Sequence, residues 1–337
     1  MTADARFAVG VVIIGRNEGE RLRRCLESVS GNNCVIVYVD SGSTDGSIAL
    51  AESLGAIVVI LDQSIPFTAA RARNAGWRRL IEIAPEVEFV QFVDGDCEVN
   101  ANWIDIAVAT LRQHPETTVV CGRRRERFPD ASVYNRLCDL EWDTPIGPAD
   151  ACGGDALMRI GPLKAVGGFR DDMIAGEEPE LCLRLRQHGG QILRIDQEMT
   201  LHDAAMTTFR QWWTRAVRAG HAYAEGATLA RCQSPGLWQR EERSIWFWGI
   251  VLPTIALTFA WWTRGLSLLL LTAYIALWLR VFVRTRRRHA GLYATFCVIA
   301  KFAHTIGMGR YYRHRLFGRR SRLIEYKNPG PVVSSAS

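Results

Sequence analysis

The sequence lacks the cysteine spacing of a metal-binding or disulfide-rich protein. Its nine cysteines include no CxxC pair, and most lie in segments that resemble core strands and helices. We therefore predict reduced thiols in a reducing compartment and no metal framework built from cysteines. The first residues, MTADARFAVG, also lack a basic region before an apolar one, so we expect no secretory signal peptide there.

Charge is nearly absent from one long region toward the C-terminus. Residues 244–262 carry no charged side chain, and residues 265–283 carry only Arg280. Each stretch has the roughly 20-residue length that a helix needs to cross a bilayer. The pattern predicts two transmembrane helices joined by a tight turn at Thr263-Arg264.

A third apolar segment, residues 291–308, carries Lys301 and His304 near its middle, which favours an interfacial helix over a third span. The net charge is +6, and the runs 284–289 and 310–322 hold four and six arginines. Because both runs flank apolar segments, an anionic membrane surface suits them better than nucleic acid does. We therefore expect a membrane partner and no nucleic-acid partner.

The N-terminal part of the chain alternates between apolar runs and amphipathic segments. The runs predict strands over 7–14, 34–39, 56–61 and 89–93, with helices over 47–54 and 68–84. Repeated strand–helix–strand units indicate an α/β, doubly wound, mostly parallel sheet. Ligands of such sheets bind beyond the carboxyl ends of the strands.

Polar clusters follow three of these strands, in the sequences RNE, DSGSTDG and DGD. Asp94 and Asp96, in DGD, are too close to ionise together easily unless a cation lies between them. A plain polar turn is the alternative for DGD, and an Asx-turn with Ser41 or Gly42 is the alternative for Asp40.

A separate acidic cluster lies in the sequence GEEPELCLRLRQHGG. Pro179 suits the first position of a helix and Gly189 suits its end. The helix would then begin among Glu177, Glu178 and Glu180. Simple stabilisation of the helix dipole by acidic residues is the alternative explanation.

Five motifs in order, VVIIGRNE, VDSGSTDGS, RARNAGW, FVDGDCEV and VGGFRDDMIAGEEPELCLRLRQHGG, resemble family 2 glycosyltransferases over about residues 8–205. The resemblance implies a GT-A fold followed by a C-terminal membrane helical region. It implies inverting, metal-dependent transfer of a sugar from a nucleotide-sugar donor to a lipid-linked or cell-envelope polysaccharide acceptor. The catalytic domain would face the cytosol at the inner membrane.

The resemblance also assigns residues on the donor side. Asp96, with Asp94, would hold Mg²⁺ or Mn²⁺ and so offset the charge of the donor diphosphate. Asp94 would act partly through the ribose or water. The remaining residues implied for nucleotide-sugar binding are Asn17, Glu18, Asp40, Arg73 and Asn74. For Arg73, a solvated helix face is the alternative.

On the acceptor side, the family places Gly-Glu-Asp at the start of a helix, where the Asp deprotonates the acceptor hydroxyl. Here Gly176-Glu177-Glu178 takes that place, so Glu178 stands at the base position. Because a Glu reaches one methylene further than an Asp, Glu177 remains a rival for the catalytic role.

Three further residues are possible site members. His202 could complete the metal site, although a structural histidine is the alternative. Gln211 and Arg215 resemble the QxxRW signature of processive members, but Ala216 replaces its Trp, which argues against polymer synthesis. An amphipathic helix at the membrane surface explains this segment equally well.

Two other functional classes compete with the transferase. A sugar nucleotidyltransferase needs a Gly-rich basic loop after the first strand, whereas this chain has GRNEGERLRR there. A membrane-tethered, non-catalytic nucleotide-sugar-binding protein should have lost its acids, which are present. The predicted organisation is a GT-A domain at 1–225, a linker at 226–243, a membrane region at 244–322 and a flexible tail at 323–337.

Overall fold

The computed structural model describes residues 8–31, 33–233, 237–285 and 288–318. The described chain forms two compact units, residues 8–205 and residues 206–318. The boundary therefore lies before the predicted position 225/226, because the helix Phe209–Gln233 packs along the helix Ala290–Leu316 within the second unit. The predicted tail at 323–337 lies outside the described residues.

The first half of the first unit has the predicted alternation of strands and helices. Its elements are β1 (Val9–Gly15), α1 (Glu20–Ser30), β2 (Val35–Asp40), α2 (Ser47–Ser53), β3 (Ile57–Ile60), α3 (Ala69–Ile83) and β4 (Phe89–Asp94). The four strands are parallel in the order β3-β2-β1-β4. Their polar carboxyl ends therefore meet at one edge, as predicted; Phe7, the predicted first strand residue, is outside the described range.

The second half continues the same sheet with mixed strand directions. It contains β5 (Cys97–Val99), α4 (Trp103–Gln113), β6 (Thr117–Glu126), α5 (Val133–Trp142), β7 (Gly147–Pro148), β8 (Ala156–Arg159), α6 (Ile160–Ala165), α7 (Glu177–Gln187) and β9 (Gln191–His202). The path runs on from β4 through β8, β6 and β9 to β5, and β7 pairs with β9. β8 is antiparallel to both β4 and β6 and so interrupts the parallel order, while β6 and β9 are again parallel to each other.

Helix α3 lies unusually close to the central strand. A Cβ added at Gly76 of α3 would overlap Val12, and one added at Gly10 of β1 would overlap Leu80. Because neither glycine carries a side chain, the helix and the sheet approach at backbone distance. This close approach fixes the position of Arg73, one turn before Gly76, relative to the edge of the sheet.

The described part of the second unit is helical. It contains α8 (Phe209–Gln233), α9 (Gln239–Trp246), a π-helical turn (Phe247–Val251), α10 (Leu252–Thr258), a 3₁₀ segment (Leu266–Thr272), α11 (Ala273–Thr285) and α12 (Ala290–Leu316). The predicted linker 226–243 is thus largely helical, since it holds the end of α8 and the start of α9.

The predicted transmembrane helix 244–262 is not formed as one helix. Helical structure ends at Thr258, and a turn follows in which Arg264 and Gly265 have φ of 50° and 88°. The apolar helical part, 244–258, is about 22 Å long at 1.5 Å per residue. A crossing of the roughly 30 Å bilayer core by this segment would therefore also use the exposed apolar residues of the turn, up to Trp262.

Two helices among the described residues are long and apolar enough to cross a membrane, Leu266–Thr285 and Ala290–Leu316. The first coincides with the predicted span 265–283 and is not buried in the protein. The second contains the predicted interfacial segment 291–308, and 28% of its most apolar window is buried.

Candidate active site

The three polar loops predicted to meet at the sheet edge are joined by hydrogen bonds. The N–H of Asn17 donates to Ser43 Oγ at 3.0 Å, and Asn17 Oδ1 accepts from the N–H of Thr44 at 2.7 Å. The N–H of Gly95 donates to the carbonyl of Ile14 at 2.8 Å. The loops after β1, β2 and β4 therefore form one continuous edge.

Asp40 is fully buried at this edge and adopts the Asx-turn named above as the alternative to base binding. Its Oδ2 accepts from the N–H groups of Gly42 and Ser43, both at 2.8 Å. Its Oδ1 accepts from the Tyr38 hydroxyl at 3.1 Å. Burial, followed by the charge of Asp40, raises the pKa of Tyr38, so this hydroxyl remains a donor.

Two other predicted nucleotide contacts have structural partners. Glu18 forms an ion pair with Arg21 at 2.8 Å. Asn74 Nδ2 donates to the Phe169 carbonyl and to Asp171 Oδ1, both at 2.7 Å, and Asn74 Oδ1 accepts from Trp77 Nε1 and from the N–H of Phe169. These bonds use the full hydrogen-bonding capacity of an amide side chain. Asn74 therefore holds the 169–171 loop onto α3, and its contact with the nucleotide stays a prediction.

Arg73 joins the DGD loop to the acidic end of α7. Its Nη2 lies 2.8 Å from Asp94 Oδ1 and its Nη1 lies 2.5 Å from Glu177 Oε1. Burial works to lower the pKa of Arg73, but Asp94 and Glu177 together raise the pKa above its ordinary value. A solvated helix face, the alternative for this residue, is wrong because only 4% of Arg73 is exposed.

A second arginine and a buried acid, which the sequence analysis missed, complete this network. Arg124 Nε lies 2.9 Å from Asp155 Oδ2, and Arg124 Nη2 lies 3.4 Å from Asp94 Oδ2. Asp155 Oδ1 accepts from the N–H of Asp94 at 3.1 Å, and its Oδ2 accepts from the Thr200 hydroxyl at 2.8 Å. The Gly-Gly-Asp sequence at 153–155 was the available signal for a buried acid at the start of a strand.

Asp96 contacts His202 of β9. His202 Nε2 lies 3.4 Å from Asp96 Oδ2, because β5 pairs with β9 in the register Cys97 to His202. The other ring nitrogen, Nδ1, lies 3.7 Å from Glu126 Oε2. Of the two readings of His202, this placement favours a member of the Asp96 cluster.

Ligand atoms of Asp96, Cys97 and His202 all lie within 4.8 Å of one another. Carboxylate oxygen and imidazole nitrogen suit Mn²⁺ and related divalent ions. Thiolate sulfur suits softer ions than Mg²⁺ or Mn²⁺, so Cys97 is the least suited of the three as a ligand. Asp96 and His202 therefore fit a divalent metal site.

The acidic helix α7 begins at Glu177, so Pro179 is its third residue. The prediction that Pro179 is the first residue of the helix is wrong. Gly189, with φ of 85°, follows the end of the helix. Glu178 turns away from Arg73. Its Oε1 accepts from the N–H of Cys152 and lies 3.1 Å from the Cys182 sulfur, which donates to it.

Gln211 and Arg215 belong to the second unit. Gln211 Oε1 accepts from the N–H groups of Thr207 and Thr208, at 2.9 and 3.0 Å, and so caps the start of α8. Arg215 is half-buried on the same helix. Helix capping accounts for Gln211 without a role in polymer synthesis.

Comparison with known sequences supports the family resemblance. Residues 10–153 match the model for Glycosyl transferase family 2. A pre-mycofactocin glycosyltransferase of Mycobacterium tuberculosis is 26% identical over 232 residues, covering 64% of this chain and 47% of that protein. Glycosyltransferase AglE of Haloferax volcanii is 24% identical over 217 residues, covering 60% and 69%. The chain spans about half the length of the first of these relatives.

Among solved structures, the mannosyltransferase PcManGT of Pyrobaculum calidifontis, in complex with GDP-Man and Mn²⁺, has a TM-score of 0.62 to this chain. The sequence identity is 16%, and the match covers 90% of this chain and 88% of that one. At this identity the likeness establishes a shared fold. The ordered motifs, the mixed nine-stranded sheet and these matches together show that the chain has the GT-A fold and that its residues 10–153 are similar to glycosyltransferase family 2.

Proposed function

We propose that the chain transfers a sugar from a nucleotide-sugar donor to an acceptor hydroxyl with inversion of the anomeric configuration. The observation that carries the proposal is the bridge that Arg73 forms between Asp94 and Glu177. It brings the DGD loop, which suits a diphosphate and a metal, next to the acidic start of α7. A donor and a base for the acceptor can therefore meet at one place.

On the donor side, Asp96 and His202 are the residues we assign to Mg²⁺ or Mn²⁺. When bound, the ion would offset the charge of the diphosphate and stabilise it as a leaving group. Arg73 and Arg124 orient the Asp94 carboxylate from two sides. A mannosyltransferase of the same fold, in complex with GDP-Man and Mn²⁺, supports the use of a divalent ion with a nucleotide-sugar donor.

On the acceptor side, we assign the catalytic base to Glu178. One oxygen of Glu177 is already held in an ion pair with the buried guanidinium of Arg73. Glu178 has neutral donors instead, the Cys152 amide and the Cys182 thiol. Glu178 accepts the hydroxyl proton as the acceptor oxygen forms its bond to C1. The bond between C1 and the diphosphate oxygen breaks, and its electron pair leaves with the nucleoside diphosphate. This single displacement inverts the configuration at C1.

We further propose that the second unit attaches the enzyme to the cytosolic face of a membrane, where the acceptor is lipid-linked. The segment Leu266–Thr285 is apolar and unburied, and Trp261 and Trp262 in the turn before it are 88% and 73% exposed. Tryptophans of this kind are enriched at membrane interfaces. Because Arg264 lies in the same turn and is costly in the bilayer centre, the turn should reach the far side.

Helix α12 should stay at the cytosolic interface. It packs so closely along α8 that a Cβ at Gly220 would overlap the backbone of His304. Helix α8 carries Arg210, Arg218 and Glu225, so a spanning α12 would draw a charged helix into lipid. The interfacial position avoids that cost.

The proposed activity is tested by a panel of UDP-, GDP- and dTDP-sugars with the purified protein and Mn²⁺. We expect release of nucleoside diphosphate from one class of donor, abolished by excess EDTA, and an inverted product anomer by NMR with a polyprenyl-phosphate acceptor. Release of pyrophosphate from a nucleoside triphosphate and a sugar phosphate would instead identify a nucleotidyltransferase. Donor binding with no turnover on any acceptor would identify a binding protein.

The membrane arrangement is tested by labelling single introduced cysteines with an impermeant thiol reagent in intact cells, with the wild-type chain as blank. We expect Thr263→Cys to react and Phe317→Cys and Arg288→Cys to be protected. Reaction at position 317 with protection at 288 would make α12 a span. Protection of position 263 would mean that the turn does not cross.

A further inference from the structure

Both contacts of the base carboxylate fall on the same oxygen. Oε1 of Glu178 receives the Cys182 thiol at 3.1 Å and the backbone N–H of Cys152. We propose that Cys182 is a positioning residue, which holds Oε1 so that Oε2 takes the proton of the acceptor hydroxyl. The inference rests on the proposed role of Glu178 as the base.

The longer side chain explains why an additional contact is needed. A Glu has one more rotatable bond than the Asp that the family places at this position, and each free torsion spreads the carboxylate over more orientations. Cys182 lies four residues after Glu178 on α7, where side chains of a helix meet on one face. The thiol and the Cys152 amide approach the same oxygen from two separate elements, and together they restrict the extra torsion.

The thiol is suited to remain a donor. Its hydrogen bond with Cys152, burial and the charge of Glu178 raise the pKa of Cys182 well above its usual value. The sulfur of Cys152 lies 3.8 Å away and is a weaker acceptor than the carboxylate. The single S–H of Cys182 is therefore directed at Glu178. Cys182 is fully buried, so water does not replace it as the donor.

Two substitutions separate the hydrogen bond from the packing. Cys182→Ser keeps a donor, whereas Cys182→Val fills the site without one. We expect kcat to fall about tenfold in the Val variant, as one neutral hydrogen bond would give, and to stay within about threefold in the Ser variant. The KM for the donor should be unchanged in both variants, because Cys182 contacts no group assigned to the donor.

A control identifies general damage to the core. Cys138 is a buried cysteine on α5, in the same unit, and Cys138→Val should lower thermal stability without changing kcat by more than about twofold. A double substitution tests the route of action. In the Glu178→Gln background, exchanging Ser for Val at position 182 should have no further effect on residual turnover, since the group it positions is gone.

The outcomes distinguish the two proposals. If Glu178→Gln turns over at the wild-type rate, the base assignment fails and the positioning role fails with it. If Glu178→Gln is inactive but the Ser and Val variants at position 182 lose kcat equally, the base assignment stands and the positioning role is overturned.

Discussion

Two pairs of neighbouring acids, one on the DGD loop and one at the start of α7, are divided in the same way. The first acids, Asp94 and Glu177, share Arg73. Of the second acids, Asp96 lies beside His202 and Glu178 lies beside Cys182. Carboxylates one or two positions apart in sequence thus have opposite surroundings in the fold.

We interpret this division as one of roles, in which the first acids hold the site together and the second acids take part in the reaction. A carboxylate bound to a buried, permanently charged guanidinium is fixed in place and in charge. A carboxylate beside an imidazole or a thiol can exchange that contact for a metal ion or a proton. We therefore expect substitutions of the second acids to reduce rate and those of the first acids to reduce stability.

The largest effect is expected where the base is removed. Glu178→Gln should lower kcat about 10³-fold with donor affinity nearly unchanged, because general base catalysis supplies roughly 10²–10⁴-fold. Glu177→Gln should lower kcat about tenfold, because Arg73 would be positioned less firmly. Steady-state kinetics with donor binding by calorimetry measure both. A dead Glu177→Gln beside an active Glu178→Gln would reverse the assignment.

The next effect concerns the metal. Asp96→Asn should reduce turnover about 10²-fold or more, equivalent to several kcal/mol of lost stabilisation of the leaving group, and should raise the Mn²⁺ concentration needed for half-activation. Asp94→Asn should leave that Mn²⁺ requirement within about threefold. A Mn²⁺ titration of activity compares the two variants. The same shift in both would remove the distinction between the first and second acids on this loop.

Loss of the shared arginine should appear as loss of stability. Arg73→Met leaves Glu177 without its buried arginine and leaves Asp94 with only the longer contact to Arg124 among these two arginines, and we expect the free energy of unfolding to fall by about 3 kcal/mol. Arg79→Met, on the same helix, removes an exposed pair with Glu82 and should change it by less than about 0.5 kcal/mol. Denaturant unfolding followed by tryptophan fluorescence measures the difference. Equal stability of the two variants would contradict the network.

The smallest effect is expected at Asp40. Asp40→Asn keeps the shape of the side chain but replaces one accepting oxygen with an NH₂ group. If Asp40 binds the nucleotide base of the donor, the KM for the donor should rise about tenfold at constant kcat. Tyr38→Phe removes one hydrogen bond to Asp40 and should raise KM about threefold. An unchanged KM in Asp40→Asn would mean that Asp40 stabilises the turn and does not bind the donor.

The parallel half of the sheet was the readable part of the sequence. Strands β1, β2 and β4 are short apolar runs followed by polar loops, and their burial on both faces makes the pattern strong. Because parallel strands end at one edge, the loops holding Asn17, Asp40 and Asp94 could be placed together before any coordinates. The approximate start of α7 could also be predicted, because its acids directly follow a glycine.

The mixed half of the sheet could not be predicted at the same level. Arg124 and Asp155 meet through antiparallel pairing of β8 with β6 and through register shifts between β6 and β9, which leave no periodic signal. Cys152 and Cys182 lie in a loop and in a helix far apart in the chain. The first apolar segment of the second unit was predicted too long for a different reason: composition gives the length of the apolar run, but helical structure ends at Thr258 and a turn follows.

The guanidinium of Arg73 is a single charge shared by two acids, Asp94 and Glu177, in segments to which we assign different substrates. A ligand that draws this cation toward Asp94 weakens its hold on Glu177, and a ligand that frees Asp94 strengthens it. Such linkage is reciprocal at equilibrium. Donor and acceptor should therefore alter each other's affinity by the same factor, and the order in which they bind becomes a property of one side chain.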